Sequence, residues 1–155
     1  MPATHSEQVL SSFARQTIAR IPLLESMQVS FTRFTGCTLR VDMPLAPNIN
    51  DKNTGFGGSI AALATTCGWA MVSLLLEDVG RQCQVVIVES RICYLAPVTG
   101  NCYAETSVCE EDKYSFMERI ARRGKSRIEL SVAVMQDGVP AAEFTGSYFV
   151  KEAAP

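Results

Sequence analysis

The sequence predicts an α+β domain in which an antiparallel sheet of about six strands wraps around one long central helix. Three observations predict this fold class. Residues 58–79 form an apolar run that is too long for a buried strand and is therefore assigned to a helix, closed by Gly80. This helix is apolar on all sides, so it must be buried on all sides. The segments around it alternate between apolar and polar residues, which is typical of half-buried strands that can cover it.

An N-terminal helix and a β-hairpin precede the central helix. Ser6 is a suitable N-cap for a helix over about residues 7–20, and Pro22 is expected to end it. Two alternating segments separated by Gly36 predict the hairpin, and they cover residues 28–35 and 37–45. A loop rich in Pro, Asn, Asp and Gly then leads into the central helix.

Strand-like segments make up most of the second half of the chain. Alternating apolar residues predict four strands, which cover 83–96, 102–109, 125–136 and 140–150. Asp137-Gly138 is a strong signal for a tight hairpin turn between the last two. The polar stretch 110–124 leaves two alternatives open, a short helix or a long irregular excursion. No repeat, linker or low-complexity segment divides the chain, so residues 1–155 are expected to form a single domain.

Composition and charge narrow the class of partner. The 155 residues are 47% apolar and 19% charged, which is an ordinary globular balance. A formal net charge of −2 provides no basic field for nucleic acid or an anionic membrane. The apolar run approaches the ~20 residues that a bilayer span needs, but it contains Ser and Thr and has no basic flank. We therefore expect neither nucleic acid nor a membrane as a partner.

The cysteines indicate a reducing compartment. Six are present without a CxxC pair, and several lie in apolar or alternating segments where cysteine acts as a small hydrophobic residue. A chain that can build a full core does not need a disulfide framework, so the cytoplasm is the expected location. The only histidine, His5, lies near the N-terminus and the thiols lack ligand spacing, so no metal or other cofactor is expected.

Three segments together resemble a known family. They read APNINDKNTGFGGSIAAL, RICYLAPVTG and DGVPAAEFTGSYFV. In this order they are similar to the thioesterase family found as the C-terminal domain of YiiD-type acetyltransferases, which has the hot-dog fold. Thioesterases of this fold usually read N-x-x-x-G-T-x-H-G-G before the helix. In the YiiD C-terminal family the histidine is commonly phenylalanine, as at Phe56 here, and the resemblance covers residues 28–150.

The resemblance implies an oxyanion site at the start of the central helix. It places the N–H of Gly58 on the carbonyl oxygen of an acyl thioester, with Asn50 orienting substrate or water. The first amides of a helix have no intrahelical partner and lie at the positive end of its dipole, and glycine lets a ligand come close. The alternative is that the glycines only allow a turn and close helix packing. Other residues expected to line the substrate site are Phe56, Gly57, Ser59 and Trp69.

The position that activates water departs from the usual pattern. In many related thioesterases the position matching Thr65 carries Asp or Glu, about 10 Å along the helix from Gly58. A threonine hydroxyl can hold a water molecule but cannot act as a general base near neutral pH without help. The alternative is a Thr65 hydroxyl bonded to the carbonyl four residues before it. Asp51 in the preceding loop is a second candidate to hold the water, although a turn-forming role is commoner for such a residue.

A basic cluster and the sheet edges predict two kinds of contact. The cluster could bind the phosphates of coenzyme A, or it could be only a solvated helix face, and it includes Arg122, Arg123 and Lys125. The edges of a six-stranded sheet are usually paired or covered. We therefore expect a homodimer formed by two-fold pairing of one edge, with a tetramer left open.

Together these features predict a cytoplasmic acyl-thioester hydrolase that acts on acyl-CoA or acyl-carrier protein. Coenzyme A or pantetheine is then part of the substrate. One alternative is a non-catalytic module that binds acyl thioesters, which fits the missing acid at Thr65. The other is a hydratase or dehydratase of the same fold, which generally needs a His/Asp-type pair that the helix lacks.

Overall fold

One antiparallel sheet of six strands packs around a long central helix in the computed structural model, which describes residues 3–154. The helices are α1 (His5–Arg20), α2 (Pro22–Met27), α3 (Gly57–Asp78) and α4 (Glu110–Arg123). The strands are β1 (Ser30–Phe34), β2 (Thr38–Met43), β3 (Cys83–Tyr94), β4 (Cys102–Ser107), β5 (Lys125–Gln136) and β6 (Val139–Glu152). Their order across the sheet is β1-β2-β4-β5-β6-β3. The predicted fold class is confirmed, with α3 as the central helix.

The N-terminal helix begins earlier than predicted, because Thr4 rather than Ser6 is its N-cap. The Thr4 hydroxyl accepts the Glu7 N–H at 3.2 Å, and the Glu7 carboxylate accepts the Thr4 N–H at 2.6 Å. These reciprocal bonds are a capping box. The helix ends at Arg20 as expected, but Pro22 begins a short helix, α2, that the sequence analysis did not predict. Proline suits the first turn of a helix, because an N–H there would have no intrahelical acceptor.

The polar stretch after β4 is a helix, which decides between the two alternatives left open. The Cys109 sulfur accepts the Asp112 N–H at 3.4 Å and caps the start of α4. The helix ends at Gly124, whose φ of 64° is a left-handed conformation that glycine adopts without strain. Only Phe116 and Ile120 are buried. α4 therefore packs one narrow apolar face on β5 and β6.

The sheet buries α3 along most of its length. A close approach at Gly68 makes this possible, because a Cβ there would lie 2.2 Å from the hydroxyl oxygen of Tyr148 on β6. The Tyr148 hydroxyl donates to the Thr65 carbonyl at 2.9 Å, so helix and strand are also joined by a hydrogen bond. By length and composition α3 could cross a membrane, yet 61% of its most apolar window is buried in the structure, as in the core helix of a folded domain.

Two surfaces remain partly exposed, the β3 edge of the sheet and one face of α3. β3 is an edge strand, and β6 is its only pairing partner among residues 3–154. Its consecutive side chains Val86, Ile87 and Val88 are 50%, 37% and 50% exposed. Several half-buried residues of α3 are three or four positions apart and so share one helix face; they are Ala62, Thr65, Trp69 and Ser73. This surface is not closed by the chain's own sheet.

Candidate functional site

The loop between β2 and α3 forms one wall of the candidate site, and Asn48 holds it in place. Asn48 is 2% exposed, and its Nδ2 donates to the carbonyl oxygens of Met27 and Pro44, each at 2.9 Å. Its own carbonyl accepts the Phe56 N–H at 2.7 Å. Asn48 was not predicted as a site residue, although a Pro- and Asn-rich loop is where such side-chain-to-backbone bonds occur. Asn48 positions the residue that precedes α3.

Asn50 closes the same loop on itself. Its Nδ2 donates to Thr54 Oγ1 at 2.9 Å and to the Gly55 carbonyl at 3.4 Å. Its Oδ1 accepts the N–H groups of Lys52 at 2.8 Å and Thr54 at 3.1 Å. Both ends of the side-chain amide are therefore engaged within the loop, as in an Asx turn. Asp51 lies at the loop tip, 82% exposed, with its carboxylate 3.1 Å from the Lys52 ammonium group.

The start of α3 leaves three backbone N–H groups without an acceptor in residues 3–154. No side chain caps this helix, and its first backbone hydrogen bond runs from the Ile60 N–H to the Phe56 carbonyl at 3.0 Å. The amides before it belong to Gly57, Gly58 and Ser59. Donors at the positive end of a helix dipole favour a ligand oxygen that carries negative charge. This is the arrangement that a developing oxyanion requires.

Two exposed aromatic side chains flank these amides. Phe56 is 53% exposed and Tyr94 is 52% exposed. The Phe56 ring lies against Gly58, where a Cβ would be 2.5 Å from a ring carbon, and the Tyr94 hydroxyl donates to the Gly57 carbonyl at 2.8 Å. Gly58 is itself exposed, so the amides are not enclosed in the packed interior. Tyr94 was not predicted as a site residue, because its contact with α3 depends on the position of β3 at the sheet edge.

Thr65 lies further along α3 with a free hydroxyl. Its carbonyl accepts the Tyr148 hydroxyl, but no hydrogen bond of its own side chain is found within residues 3–154. The alternative, a bond from the Thr65 hydroxyl to the carbonyl four residues earlier, is therefore not observed. Ser73 does make a bond of this kind, since its hydroxyl donates to the Trp69 carbonyl at 2.9 Å. The Thr65 hydroxyl is half-buried and about 10 Å from Gly58 along the helix. It can hold a water molecule there.

Cys67 and His5 contribute nothing to this site. Cys67 is fully buried, and burial raises the pKa of its thiol, which disfavours the thiolate that a nucleophile needs. His5 Nε2 lies 3.1 Å from Asp78 Oδ1 at the other end of α3, about 30 Å along the helix from Gly58. Within residues 3–154 no three His, Cys, Asp or Glu side chains come together as a metal ion would require.

Trp69 belongs to a different part of the surface. It lines a cavity of about 420 Å³ between α1, the C-terminal half of α3 and the start of β3. Its Nε1 donates to the Val85 carbonyl at 3.0 Å, and its ring packs on Phe13 with ring centroids 5.7 Å apart. Trp69 lies about 16 Å along α3 from Gly58. The structure therefore does not bring Trp69 to the start of the helix.

The basic cluster is exposed at the junction of α4 and β5, and consists of Arg122, Arg123 and Lys125. Arg122 is 3.4 Å from Glu118 one helical turn away, an arrangement common on solvated helix faces. The cluster adjoins the end of β6, because the Glu152 N–H donates to the Gly124 carbonyl at 2.8 Å. There β6 pairs with the start of β3. Within one chain, the cluster and Tyr94 are thus at opposite ends of β3.

Sequence comparison assigns the family. A family model described as "Putative thioesterase (yiiD_Cterm)" matches residues 10–152. The chain belongs to this family. A solved protein of unknown function from Chlorobaculum tepidum has 31% sequence identity and a TM-score of 0.91, covering 96% of this chain and 97% of that one. A "putative thioesterase" from Shewanella oneidensis has 33% identity and a TM-score of 0.84, covering 94% of this chain and 99% of that one. A thioesterase from Haemophilus influenzae shares the fold, with 15% identity and a TM-score of 0.73, covering 98% of this chain and 93% of that one.

Membership of the yiiD_Cterm family confirms the resemblance found in the three sequence segments, and with it the hot-dog fold. The family description and the printed name of the Shewanella protein support a thioesterase function in general terms. The matched residues extend from α1 into β6, so they include the start of α3, the Trp69 cavity and the basic cluster.

Proposed function

We propose that this yiiD_Cterm protein hydrolyses acyl thioesters, with the reacting carbonyl bound at the start of α3. The observation that carries the proposal is the set of amides without acceptors at Gly57, Gly58 and Ser59, on an exposed helix N-terminus. Attack of water on the thioester carbon places negative charge on the carbonyl oxygen, and preset N–H groups stabilise that charge. Phe56 and Tyr94 supply apolar surface beside the thioester. The leaving thiol belongs to coenzyme A or to carrier-protein pantetheine, and the proposal includes no separate cofactor.

In this proposal the attacking water is held by Thr65 of a second copy of the chain. The Thr65 hydroxyl of the same chain is about 10 Å along α3 from Gly58, whereas water must come within about 3 Å of the carbonyl carbon to attack it. The Thr65 hydroxyl has no partner within residues 3–154, and it lies on the incompletely covered face of α3. Asp51 is less suitable, because its carboxylate is at the exposed loop tip beside Lys52. A threonine hydroxyl does not accept the proton near neutral pH, so the water loses its proton to solvent before it attacks, and hydroxide is the nucleophile. We therefore expect kcat/KM to rise about tenfold per pH unit around neutrality, without a plateau.

We propose that a homodimer formed through β3 completes the site. Pairing of β3 with a second copy would bury its exposed apolar side chains and cover the open face of α3. Two-fold pairing is antiparallel, so the start of β3 in one protomer lies beside the end of β3 in the other. The basic cluster of one chain then approaches the start of α3 in its partner, where it can bind the phosphates of coenzyme A. Sedimentation would distinguish this dimer from a tetramer.

The cytoplasm is the location that suits this proposal, because all six cysteines are free and none needs an oxidising compartment. Neither nucleic acid nor a membrane takes part in it.

Release of thiol from a panel of acyl-CoA esters tests the hydrolase. Gly58→Ala should lower kcat/KM about a hundredfold, because the added Cβ displaces the Phe56 ring and shifts the bound carbonyl. Gly100→Ala is the matched control, since no described atom outside its immediate chain neighbours lies within 4 Å of the Cβ it would add, and its activity should be unchanged. If the Gly58→Ala variant releases thiol at the wild-type rate, the proposed carbonyl site is contradicted.

A second pair of variants tests the role of Thr65. Thr65→Asp should raise kcat and introduce a plateau in the pH profile, because a carboxylate can accept the proton from the attacking water. Thr66→Asp places the same group on the next helix position and should not raise kcat. Equal effects of the two substitutions would show that the water is not held at Thr65.

A non-catalytic module that binds acyl thioesters is the second candidate, and the missing acid at Thr65 favours it. Saturable binding of acyl-CoA without thiol release, in the wild type and in Thr65→Asp, would support the module. A hydratase ranks below both, because His5 lies at the far end of α3 from the candidate site. Hydration of an enoyl thioester without thiol release would support that activity.

A further inference from the structure

The cavity lined by Trp69 is separate from the amides at the start of α3 and has a different character. Its volume is about 420 Å³, within the range of small-molecule pockets. Its inner wall is made by the buried side chains of Phe13 and Leu76 and by the half-buried Trp69 ring. Exposed polar residues such as Gln16 surround its mouth. The cavity is therefore apolar inside and open to solvent at one end.

The apolar wall is held in place without a ligand. The Trp69 ring is tied to β3 through the Val85 carbonyl and rests on Phe13 at an angle of 37°. The Ser73 hydroxyl, which also lines the cavity, donates back to the Trp69 carbonyl at 2.9 Å. Within residues 3–154, no residue lining the cavity has a fully buried side-chain polar atom that lacks a hydrogen-bond partner. The interior therefore requires no polar group from a ligand and suits a hydrocarbon.

Charges at the mouth balance one another. Burial raises the pKa of the Glu77 carboxyl, and the nearby Arg20 lowers it by a smaller amount. Arg81 forms an ion pair with Glu152. A ligand that carried a net charge into this region would gain little from balanced groups. An uncharged chain is the ligand that both the wall and the mouth favour.

We propose that this cavity binds the unbranched alkyl chain of the acyl group, with about eight to twelve carbons. A dry cavity of about 150 Å³ with aliphatic and aromatic walls is filled by benzene, so an open cavity of 420 Å³ has room for a chain of about this length. The inference rests on the proposed function and on the β3 dimer, and it names the acyl class. Cys83 and Gln84, at the start of β3, border the cavity. In the antiparallel dimer that end adjoins the carbonyl site of the partner, whose bound thioester extends its chain into the cavity.

Trp69 provides the direct assay, because it is the only tryptophan of the chain. Its fluorescence is titrated with straight-chain fatty acids of increasing length, each below its critical micelle concentration. Affinity should rise about fourfold for each added methylene that enters the cavity, and it should level off once the cavity is full. The matching alcohols should show the same dependence on chain length, because the chain and not the head group is recognised.

Substitutions locate the binding to the cavity. Ser73→Leu reduces the space inside, and Gln16→Phe blocks the exposed mouth without altering the core. In each variant, affinity should level off at a chain about two or three carbons shorter than in the wild type. Ser11→Leu is the matched control, since Ser11 is an exposed residue of α1 that does not line the cavity. Its profile should equal that of the wild type.

The cavity assignment is overturned if no chain length gives a saturable fluorescence change, or if Ser73→Leu and Gln16→Phe both keep the wild-type profile. Thiol release separates this result from the proposed function. If acyl-CoA is hydrolysed with a chain-length preference that neither Ser73→Leu nor Gln16→Phe shifts, the cavity is not the acyl-chain site. The proposed hydrolase activity then still stands. If alkyl chains bind at Trp69 but no acyl-CoA is hydrolysed, the proposed hydrolase activity is refuted. The assignment of the cavity as an alkyl-chain site then still stands.

Discussion

Replacing Gly68 by alanine tests the contact that joins α3 to the sheet. The Cβ of an alanine would lie 2.2 Å from the Tyr148 hydroxyl oxygen and 2.7 Å from the ring carbon that carries it. The hydroxyl oxygen would have to move by about 1.2 Å to reach an ordinary contact of 3.4 Å. Tyr148 is fully buried, so its ring cannot turn aside into solvent. Its hydrogen bond to the Thr65 carbonyl would be lost or distorted.

Two opposing effects decide the sign of the change. Alanine is favoured over glycine in a helix interior by about 1 kcal/mol. Overpacking of a core costs about 1–3 kcal/mol, and loss of the Tyr148 hydrogen bond adds about 1 kcal/mol. The expected net loss in the free energy of unfolding is about 2 kcal/mol. For a chain of this size, this lowers the midpoint of thermal unfolding by about 4–8 °C.

Urea unfolding followed by circular dichroism measures this loss, with two controls that separate its parts. Ala62→Gly, on the same helix, calibrates the helix-propensity effect at about 1 kcal/mol. Tyr148→Phe removes only the hydrogen bond and should cost about 1 kcal/mol. If Gly68→Ala is as stable as the wild type or more stable, helix propensity alone governs this position, and the described packing of α3 on β6 is refuted.

Three further predictions concern a buried amide, the thiols and one carboxylate. Asn48→Ala should cost about 2–4 kcal/mol in urea unfolding, because it leaves the buried Met27 carbonyl and the part-buried Pro44 carbonyl without the amide donor. Asn48→Asp should cost more, and equal stability of the wild type and both variants would contradict the assignment. A chromogenic aromatic disulfide should modify the exposed Cys109 in the native protein but not Cys67, whose thiol is buried and has a raised pKa. Thiol release from acyl-CoA should survive in Cys67→Ala. Burial raises the pKa of Glu77 above its usual 4.5, so its ionised form costs stability above that raised pKa. Glu77→Gln should therefore be slightly more stable near pH 7, by less than about 0.5 kcal/mol, and the gain should vanish as the pH falls to 4.5; a gain that grew on acidification would contradict the sign.

Local signals in the sequence predicted much of the fold. The apolar run predicted α3, because a helix with no polar face must be covered on all sides. Asp137-Gly138 predicted the turn between β5 and β6, and both residues have the positive φ that such a turn needs, 50° and 74°. The N-cap at Thr4 and the short helix after Pro22 were missed. Several residues can serve as a cap, and the hydrogen bonds that form decide among them.

The candidate site was less predictable than the fold. The glycines at the start of α3 were identified from their sequence motif, and the structure leaves their amides without acceptors in the described residues. The motif residue Asn50 is engaged within its own loop, whereas Asn48 makes the bonds that hold that loop in place. Trp69 lines a separate cavity. Such differences arise because a motif names residue types, while hydrogen-bond partners are chosen only when the chain has folded.

By itself, the sequence determined the strands, the first and central helices, the class of fold and the glycine-rich helix start, because apolar periodicity, turn chemistry and glycine act over a few neighbouring residues. Only the tertiary structure decided that Tyr94 reaches Gly57, that the Phe56 ring lies against Gly58, and that the strand with the most exposed apolar side chains is at the sheet edge. The physical reason is strand order. Which strand lies at the edge, and which strand end meets the helix, depends on how all six strands share one apolar helix, and no short stretch of the chain contains that information.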